Sequence, residues 1–437
     1  MTLSNEAYVG AVHALFTQLP MFQRQGPAAY KANLNATKLV CGALGNPQNE
    51  LRFVHVAGTN GKGTVCHMVA AVLQEARHRV GLFTSPHLVD FRERIRVNGV
   101  CIPEKDVVDF VERWQSAKGA WGTPSFFELT FGMALDHFRR VECDIVVLET
   151  GMGGRLDSTN VIAAPEVAVV TNIGLDHQAF LGSDIRSIAK EKAGIFKQGA
   201  PVVIGPMRPE AQSEMLSAAL RTSSEVHFAR DCEDQAQLHL DRSPSFVTRA
   251  NIGTALATLN VLQAFGWDVP EDAQHRGLSK YPEITGQRGR WERVDLPDGP
   301  TVVFDGAHNV DSVAAAVEAI ESLAASRDGK VHVIWGAVAD KDHSDVMALL
   351  PLDASYTWCA ADIPRAMKGT DVAKLRPELG GEVRESPAEA LKHCVEEGRE
   401  NDVIWVGGSL FVVGDALRDA PSVVPNWPDS ASSDNPA

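Results

Sequence analysis

A chain of 437 residues is long enough for two or three domains, and its hydrophobic content of 44% and charged content of 22% are those of a soluble globular protein. A formal net charge of −15 argues against general nucleic-acid binding, which needs basic surface, but leaves room for an anionic small substrate in a local basic pocket. Seven widely spaced cysteines without a CxxC pair, no basic-then-apolar leader and no apolar run near the ~20 residues of a membrane helix predict a reduced, cytoplasmic chain, expected to be a monomer without membrane partners.

Residues 6–20 have the spacing of an amphipathic helix that ends near Pro20. Residues 21–31 mix Gly, Pro, aromatics and cations, a loop that either simply connects or carries a ligand contact. At Phe53–Ala57 an apolar strand then runs into Gly58-Thr59-Asn60-Gly61-Lys62-Gly63-Thr64. Apolar residues recur afterwards at Val65, Val69, Val72, Leu73 and Ala76, a helical period. Strand, glycine turn and helix are the layout of a phosphate-binding loop. Its glycines let backbone N–H groups close on phosphate oxygens, and the helix N-terminus adds partial positive charge. Lys62 can reach the β- and γ-phosphates, and Thr64 can offer a hydroxyl to Mg²⁺. Gly63 stands between the Gly-Lys pair and the hydroxyl residue, so the strict Walker spacing fails and a variant, G-T-N-G-K-G-T, replaces it. The plainer alternative is a tight turn with a solvated lysine.

Val80–Phe83 reads as a strand that ends in Thr84-Ser85-Pro86, and the charge-dense Phe91–Arg96 reads as partly solvated. After a helix over 125–140, Asp144–Glu149 is a buried-strand pattern ending in a carboxylate. Ligands gather at the carboxyl ends of strands in open α/β sheets, so Glu149 is a Mg²⁺ ligand candidate. Glycines and polar residues follow at 150–160. Another strand, Val167–Asn172, precedes Gly174-Leu175-Asp176-His177, where His177 is either a surface or capping residue or a ligand. Ser187–Gly194 reads as a short helix with a glycine stop. Residues 225–247 look irregular, Asn251–Phe265 is helical, and Thr285–Trp291 reads as a linker. Strands then alternate with helices at Val302–Asp305, Val331–Trp335, Tyr356–Ala360 and Val403–Val406, which predicts a second, mostly parallel α/β domain.

Seven segments in this order resemble the folylpolyglutamate synthase and dihydrofolate synthase family, relatives of the Mur ligases. They are Ala57–Thr64, Thr84–Leu88, Leu148–Asn160, Leu175–His177, Glu191–Phe196, Gly289–Trp291 and Asp305–Asn309, within a resemblance that covers about residues 15–415. The resemblance implies an α/β fold: an N-terminal phosphate-loop ATPase domain with a mostly parallel sheet, and a smaller Rossmann-like C-terminal domain. The expected division is 1–288, a linker at 289–296, a glutamate-ligase domain at 297–420 and a disordered tail at 421–437. It also implies ATP-driven amide formation with Mg²⁺, expected as two ions. A folate or dihydropteroate carboxylate becomes an acyl phosphate, and the amine of L-glutamate displaces phosphate.

Carried over to this sequence, the resemblance makes Ser85, Glu149 and His177 metal ligands and Lys192 a carbamylated lysine. Gly58, Thr59, Asn60, Gly61, Lys62, Gly63, Thr64, Asn251, Arg290 and Asp305 fall on the nucleotide side. Ser125, Phe126, Phe127, Leu156, Asp157 and Ser158 fall on the pterin side, with His308 and Ser409 near the glutamate. The plainer alternatives are a solvated linker cation for Arg290, an ordinary surface lysine for Lys192 and, for Asp305, a helix N-cap, a role compatible with a nucleotide contact. The expected catalytic set is Lys62, Arg290, His308 and Lys192. Rival readings are a Mur ligase acting on a nucleotide-linked sugar, disfavoured because only 57 residues precede Gly58, and a nucleotide-hydrolysing switch without a product.

Overall fold

The computed structural model of the protein describes residues 3–21, 33–117, 119–238 and 246–428. They divide into two compact units. Leu88–Asp90, Phe246 and the residues from Arg288 onward belong to the second, and the others to the first.

The first unit is built on an eight-stranded sheet. Its strands are β1 (Phe53–Ala57), β2 (Val80–Phe83), β3 (Ile95–Val97), β4 (Val100–Cys101), β5 (Ile145–Glu149), β6 (Val167–Val170), β7 (Val202–Ile204) and β8 (Val226–Phe228). Their order is β4-β3-β2-β5-β1-β6-β7-β8. Only β3 and β4 run antiparallel to their neighbours. Every residue of β1, β5 and β6 is buried, as a central parallel strand covered on both faces requires. Alternation along β1 divides the faces. Val54 and Val56 pack into a core with the helices Lys62–Glu75 and Phe246–Ala264, whereas Phe53 packs with the helix Phe126–Arg140. Because β5, β1 and β6 are adjacent and parallel, the loops that leave their carboxyl ends converge at one edge.

The second unit holds six strands. They are β9 (Glu292–Asp295), β10 (Thr301–Phe304), β11 (Val331–Trp335), β12 (Ser355–Trp358), β13 (Glu382–Val383) and β14 (Val403–Gly407), ordered β13-β12-β11-β14-β10-β9. Only the edge strand β9 is antiparallel to its neighbour. Trp335, Trp358 and Trp405 fill one of its cores.

Three local readings change. Residues 292–295, placed above in a linker, form β9 and pair with β10. The stretch that looked irregular carries β8 and the helix Glu233–Leu238, while 239–245 lie outside the described residues. The tail reading starts too early: the helix Leu410–Val423 runs through Pro421, and the Trp427 ring stands edge-on to Phe304 at 5.9 Å. Apolar Val424 and Trp427 supply the contacts a disordered segment would lack. Residues 429–437, and 22–32 of the first loop, are outside the described residues.

Candidate active site

The glycine-rich turn after β1 has the backbone its sequence demands. Gly61, the N-cap of the helix Lys62–Glu75, sits at φ 79°, and a Cβ there would collide with the side-chain oxygen of Asn251. The turn is fastened to the segment after β6. Thr59 N donates to Asn172 O at 3.0 Å, Asn60 N to Asn172 Oδ1 at 2.8 Å, and Thr171 Oγ1 to Asn60 O at 2.6 Å. Thr59 Oγ1 also donates to Gly174 O at 3.2 Å. The loop is therefore set by protein contacts. Lys62 Nζ folds back to Thr59 O at 3.1 Å, over the turn it belongs to. Thr64 Oγ1 accepts from Gln287 Nε2 at 3.2 Å, a contact that nothing in the local sequence signals.

Glu149 ends β5 beside this loop. A Cβ on Gly63 would lie 3.6 Å from Glu149 Oε2 and 3.7 Å from Oε1, so the glycine that breaks the Walker spacing faces the carboxylate. Glu149 Oε2 accepts from Ser85 N at 2.9 Å and is 4% exposed. The residues predicted at 84–88 and 148–149 thus do meet. A carboxylate and hydroxyls beside a phosphate loop are hard oxygen donors of the kind Mg²⁺ takes. Among the described residues, no three His, Cys, Asp or Glu side chains form a ready metal site. His177 sits at φ 52° and starts the short helix Gln178–Leu181, with its N–H donating to Asp176 Oδ1 at 2.8 Å.

The sequence misses a buried cation here. Arg94, read as part of a solvated segment, is 2% exposed. Burial holds its pKa down to about 10, with Glu93 and then Glu149 opposing. Its Nε donates to His87 Nδ1 at 2.7 Å, and its guanidinium lies 5.1 Å from the Phe126 ring centre. Arg96 is buried too, with Nη2 donating to Gly286 O at 3.1 Å.

Lys192 ends the helix Ile185–Lys192 and is 4% exposed, not the solvated lysine of the plainer reading. Its Nζ donates to Gly58 O at 2.7 Å. Burial first, and the nearby Lys62 second, push its pKa down to about 7, against the pull of Asp176 and Asp157. The 150–160 loop packs directly on this segment. Arg155 N donates to Glu191 O at 2.8 Å, and Asn160 Nδ2 to Gly194 O at 3.0 Å. Side chains at Gly154 or Gly194 would clash with backbone across this contact. A cavity of about 520 Å³, within the range of small-ligand sites, is lined by Arg155, Phe180, Gly182, Ser187, Lys190 and Glu191.

On the pterin side, Asp157 is 5% exposed and accepts from Met152 N at 2.8 Å and Thr159 N at 3.0 Å. Burial raises its pKa, and these donors oppose the rise. Leu156 and Ser158 flank it, each half-buried. Phe127 borders Gly151 and lies 5.7 Å from Phe83 between ring centres. Two members of this set have structural jobs. Ser125 caps the helix Phe126–Arg140 in a capping box with Glu128, and Phe126 is 3% exposed, stacked on Phe16 at 5.2 Å. Phe126 therefore offers its ring to the core, not to an open face.

In the second unit the carboxyl ends of the paired strands β10 and β14 carry the predicted residues. Asp305 is not a helix N-cap. Its Oδ2 accepts from Trp291 N at 2.8 Å and its Oδ1 from Ala307 N at 2.9 Å, while Asn309 caps the helix Val310–Ser326. Burial raises the Asp305 pKa, opposed first by Arg290. Arg290 is exposed, and its Nη1 would lie 3.3 Å from a Cβ on Gly306. His308 Nδ1 lies 2.8 Å from Gly306 O. Ser409 caps the helix Leu410–Val423, its Oγ accepting from Phe411 N at 3.0 Å. No described helix is long and apolar enough to cross a membrane.

Comparison with known proteins places this geometry. The Mur ligase middle domain matches residues 56–252, and the Mur ligase glutamate ligase domain matches residues 289–410. The dihydrofolate synthase/folylpolyglutamate synthase of Bacillus subtilis is 32% identical over 417 residues, 89% of this chain and 95% of that protein. The chain belongs to the folylpolyglutamate synthase and dihydrofolate synthase family. It is accordingly an ATP-dependent, amide-forming ligase. A second relative in the family, the probable bifunctional folylpolyglutamate synthase/dihydropteroate synthase of Haloferax volcanii, is 34% identical over 444 residues. That match takes in 94% of this chain but only 50% of the relative's length. Among solved structures of the family, the bifunctional enzyme of Yersinia pestis in complex with AMPPNP and a Mn ion superposes with a TM-score of 0.78. It is 25% identical and aligned over 96% of this chain and 100% of its own.

Proposed function

We propose that the protein joins L-glutamate to folates and to dihydropteroate, consuming ATP. The carrying observation is the meeting of Glu149 with Gly63 and Ser85 beside a phosphate loop that Asn172 and Thr171 hold in shape. The substrate carboxylate attacks the γ-phosphorus, and ADP leaves. The glutamate amine then attacks the acyl carbon, loses a proton and expels phosphate. Mg²⁺, when bound, neutralises phosphate charge. Glu149, Ser85 and Thr64 offer it oxygen donors, His177 a ring nitrogen and carbamylated Lys192 a further carboxylate, and a second ion is part of the proposal.

The backbone N–H groups of 61–64 and the ammonium of Lys62 bind the phosphates, with Thr59 and Asn60 held to Asn172 so that the turn keeps its shape, and their positive potential opposes the charge that develops on the transferred group. Asn251, Arg290 and Asp305 serve the nucleotide. Asp157, with Leu156, Ser158 and Phe127, takes the pterin end of the substrate. Ser125 and Phe126 support that side from the helix start, and His308 and Ser409 serve the glutamate. In this division residues up to 288 supply ATP and folate sites, and 297–420 supply glutamate ligation. Mass spectrometry of reactions containing ATP, glutamate and either acceptor tests the reading: each acceptor should gain a glutamyl residue. Glutamylated folate without any dihydrofolate from dihydropteroate would reduce the enzyme to the single activity.

A further inference from the structure

His55 is the third residue of β1 and fully buried, with Leu148 and Ala168 as its strand neighbours. A histidine in a central strand of an apolar sheet needs a partner, because an unpaired polar group in such a place is costly. Its Nε2 lies 2.9 Å from the hydroxyl of Thr159, and that hydroxyl lies 2.6 Å from Asp157 Oδ1. The Thr159 amide also donates to Asp157 Oδ1, at 3.0 Å. The direction of the chain follows from proton supply. A threonine hydroxyl has one proton, and a buried carboxylate is the stronger acceptor. The Thr159 proton therefore points to Asp157, and the hydroxyl oxygen accepts from His55 Nε2–H. The imidazole is then neutral, with its proton on Nε2 and a bare Nδ1. Nδ1 is buried and has no hydrogen-bond partner, as a deprotonated nitrogen in an apolar wall permits.

We propose that His55 is a positioning residue for the substrate: through Thr159 it fixes the plane of the Asp157 carboxylate and with it the 150–160 loop assigned above to the pterin end. This rests on the functional reading above, in which Asp157 serves the pterin end. The same strand that leads into Gly58 and the phosphate loop thus also holds a side chain of the loop assigned to the second substrate. One strand thereby positions groups for both reactants.

The test combines tautomer assignment with steady-state kinetics. Nitrogen-15 spectra of the wild-type enzyme should show His55 as the Nε2–H tautomer; an Nδ1–H form overturns the inference, since Thr159 would then donate to the imidazole and not to Asp157. Thr159→Val should raise KM for the pterin-bearing substrate about tenfold, the net worth of one hydrogen bond, with KM for ATP changed less than about twofold. Thr159→Ser, which keeps the hydroxyl, should behave as wild type. His55→Gln, whose side-chain amide can reach the same position with an N–H, should also stay near wild type. His55→Leu should match Thr159→Val, and the double variant should be no worse than either. Additive effects, or equal rises in both KM values, overturn the inference. If His55→Leu does not fold, the tautomer and the two Thr159 variants decide alone. A wild type that makes no glutamyl product overturns the functional reading and this inference with it, whereas an active wild type with unmoved variants overturns only the inference.

Discussion

The amine of Lys192 donates to the carbonyl of Gly58 at 2.7 Å, tying the end of one helix to the glycine that opens the phosphate loop. Carbamylation by CO₂ needs a neutral amine, and an ordinary surface lysine supplies little of it at neutral pH. Burial has brought Lys192 down to about 7, where the neutral form is plentiful. The carbamate keeps one N–H, which can still donate to Gly58, and adds two anionic oxygens suited to a hard metal ion. We expect Lys192→Ala to be nearly inactive and to be partly rescued by acetate. Depleting CO₂ should lower wild-type turnover reversibly. Full activity of the variant without rescue would return Lys192 to a structural role.

Lys62 and Arg290 are expected to act on charge that develops during phosphoryl transfer. Removal of a single preorganised donor of this type costs about 10²- to 10³-fold in turnover. Lys62→Ala should lose at least that much while its circular dichroism and unfolding midpoint stay put. Arg290→Ala should lower kcat far more than it lowers stability, because the side chain is exposed. Equal turnover in either variant removes that residue from the chemistry.

Gly61→Ala separates backbone strain from crowding. At φ 79° an alanine pays roughly 1–2 kcal/mol for the left-handed conformation, and its Cβ also meets Asn251. Gly119, at φ 85° with nothing within 4 Å of an added Cβ, pays only the first cost. Urea unfolding should place Gly61→Ala below Gly119→Ala, and only Gly61→Ala should weaken ADP binding in calorimetry.

His55 predicts a feature of acid unfolding. Burial, and secondarily Lys197, lower its pKa from 6.5 to about 3. Above pH 6.5 the ring is neutral in both states, and the group costs nothing. As pH falls from 6.5 toward 3, the unfolded chain takes up a proton that the folded one refuses. Stability therefore drops, by at most about 1.4 kcal/mol per pH unit from this group. His55→Gln should flatten that part of the stability curve and leave the curve above pH 7 parallel to wild type. An unchanged slope would show that His55 is not the group responsible.

What sequence reveals of this site depends on how locally each part is encoded. The turn at 58–64 carries its own glycines, lysine and hydroxyl, and Glu149 ends a run of apolar residues, so both are legible without partners. Arg94 is not: its charge-dense neighbours suggest solvent, and only the fold shows that it lies under Phe126. His55 is hidden in an apolar strand because its partner Thr159 is 104 residues away, and Gln287 reaches Thr64 across 223 residues. Ser125 and Ser409 stand out only through the family resemblance, and the structure adds that each caps a helix. The β9 strand alternates half-buried and exposed residues at a sheet edge, a weaker pattern than the buried strands that identify both sheets.

The most direct test of the account is phosphate release from ATP, measured with Mg²⁺ and each combination of folate or dihydropteroate with L-glutamate. The account predicts rapid release only when an acceptor and glutamate are both present, with one glutamyl product formed per phosphate. Release that is equally fast without acceptor and glutamate would contradict it and leave a nucleotide-hydrolysing protein in its place.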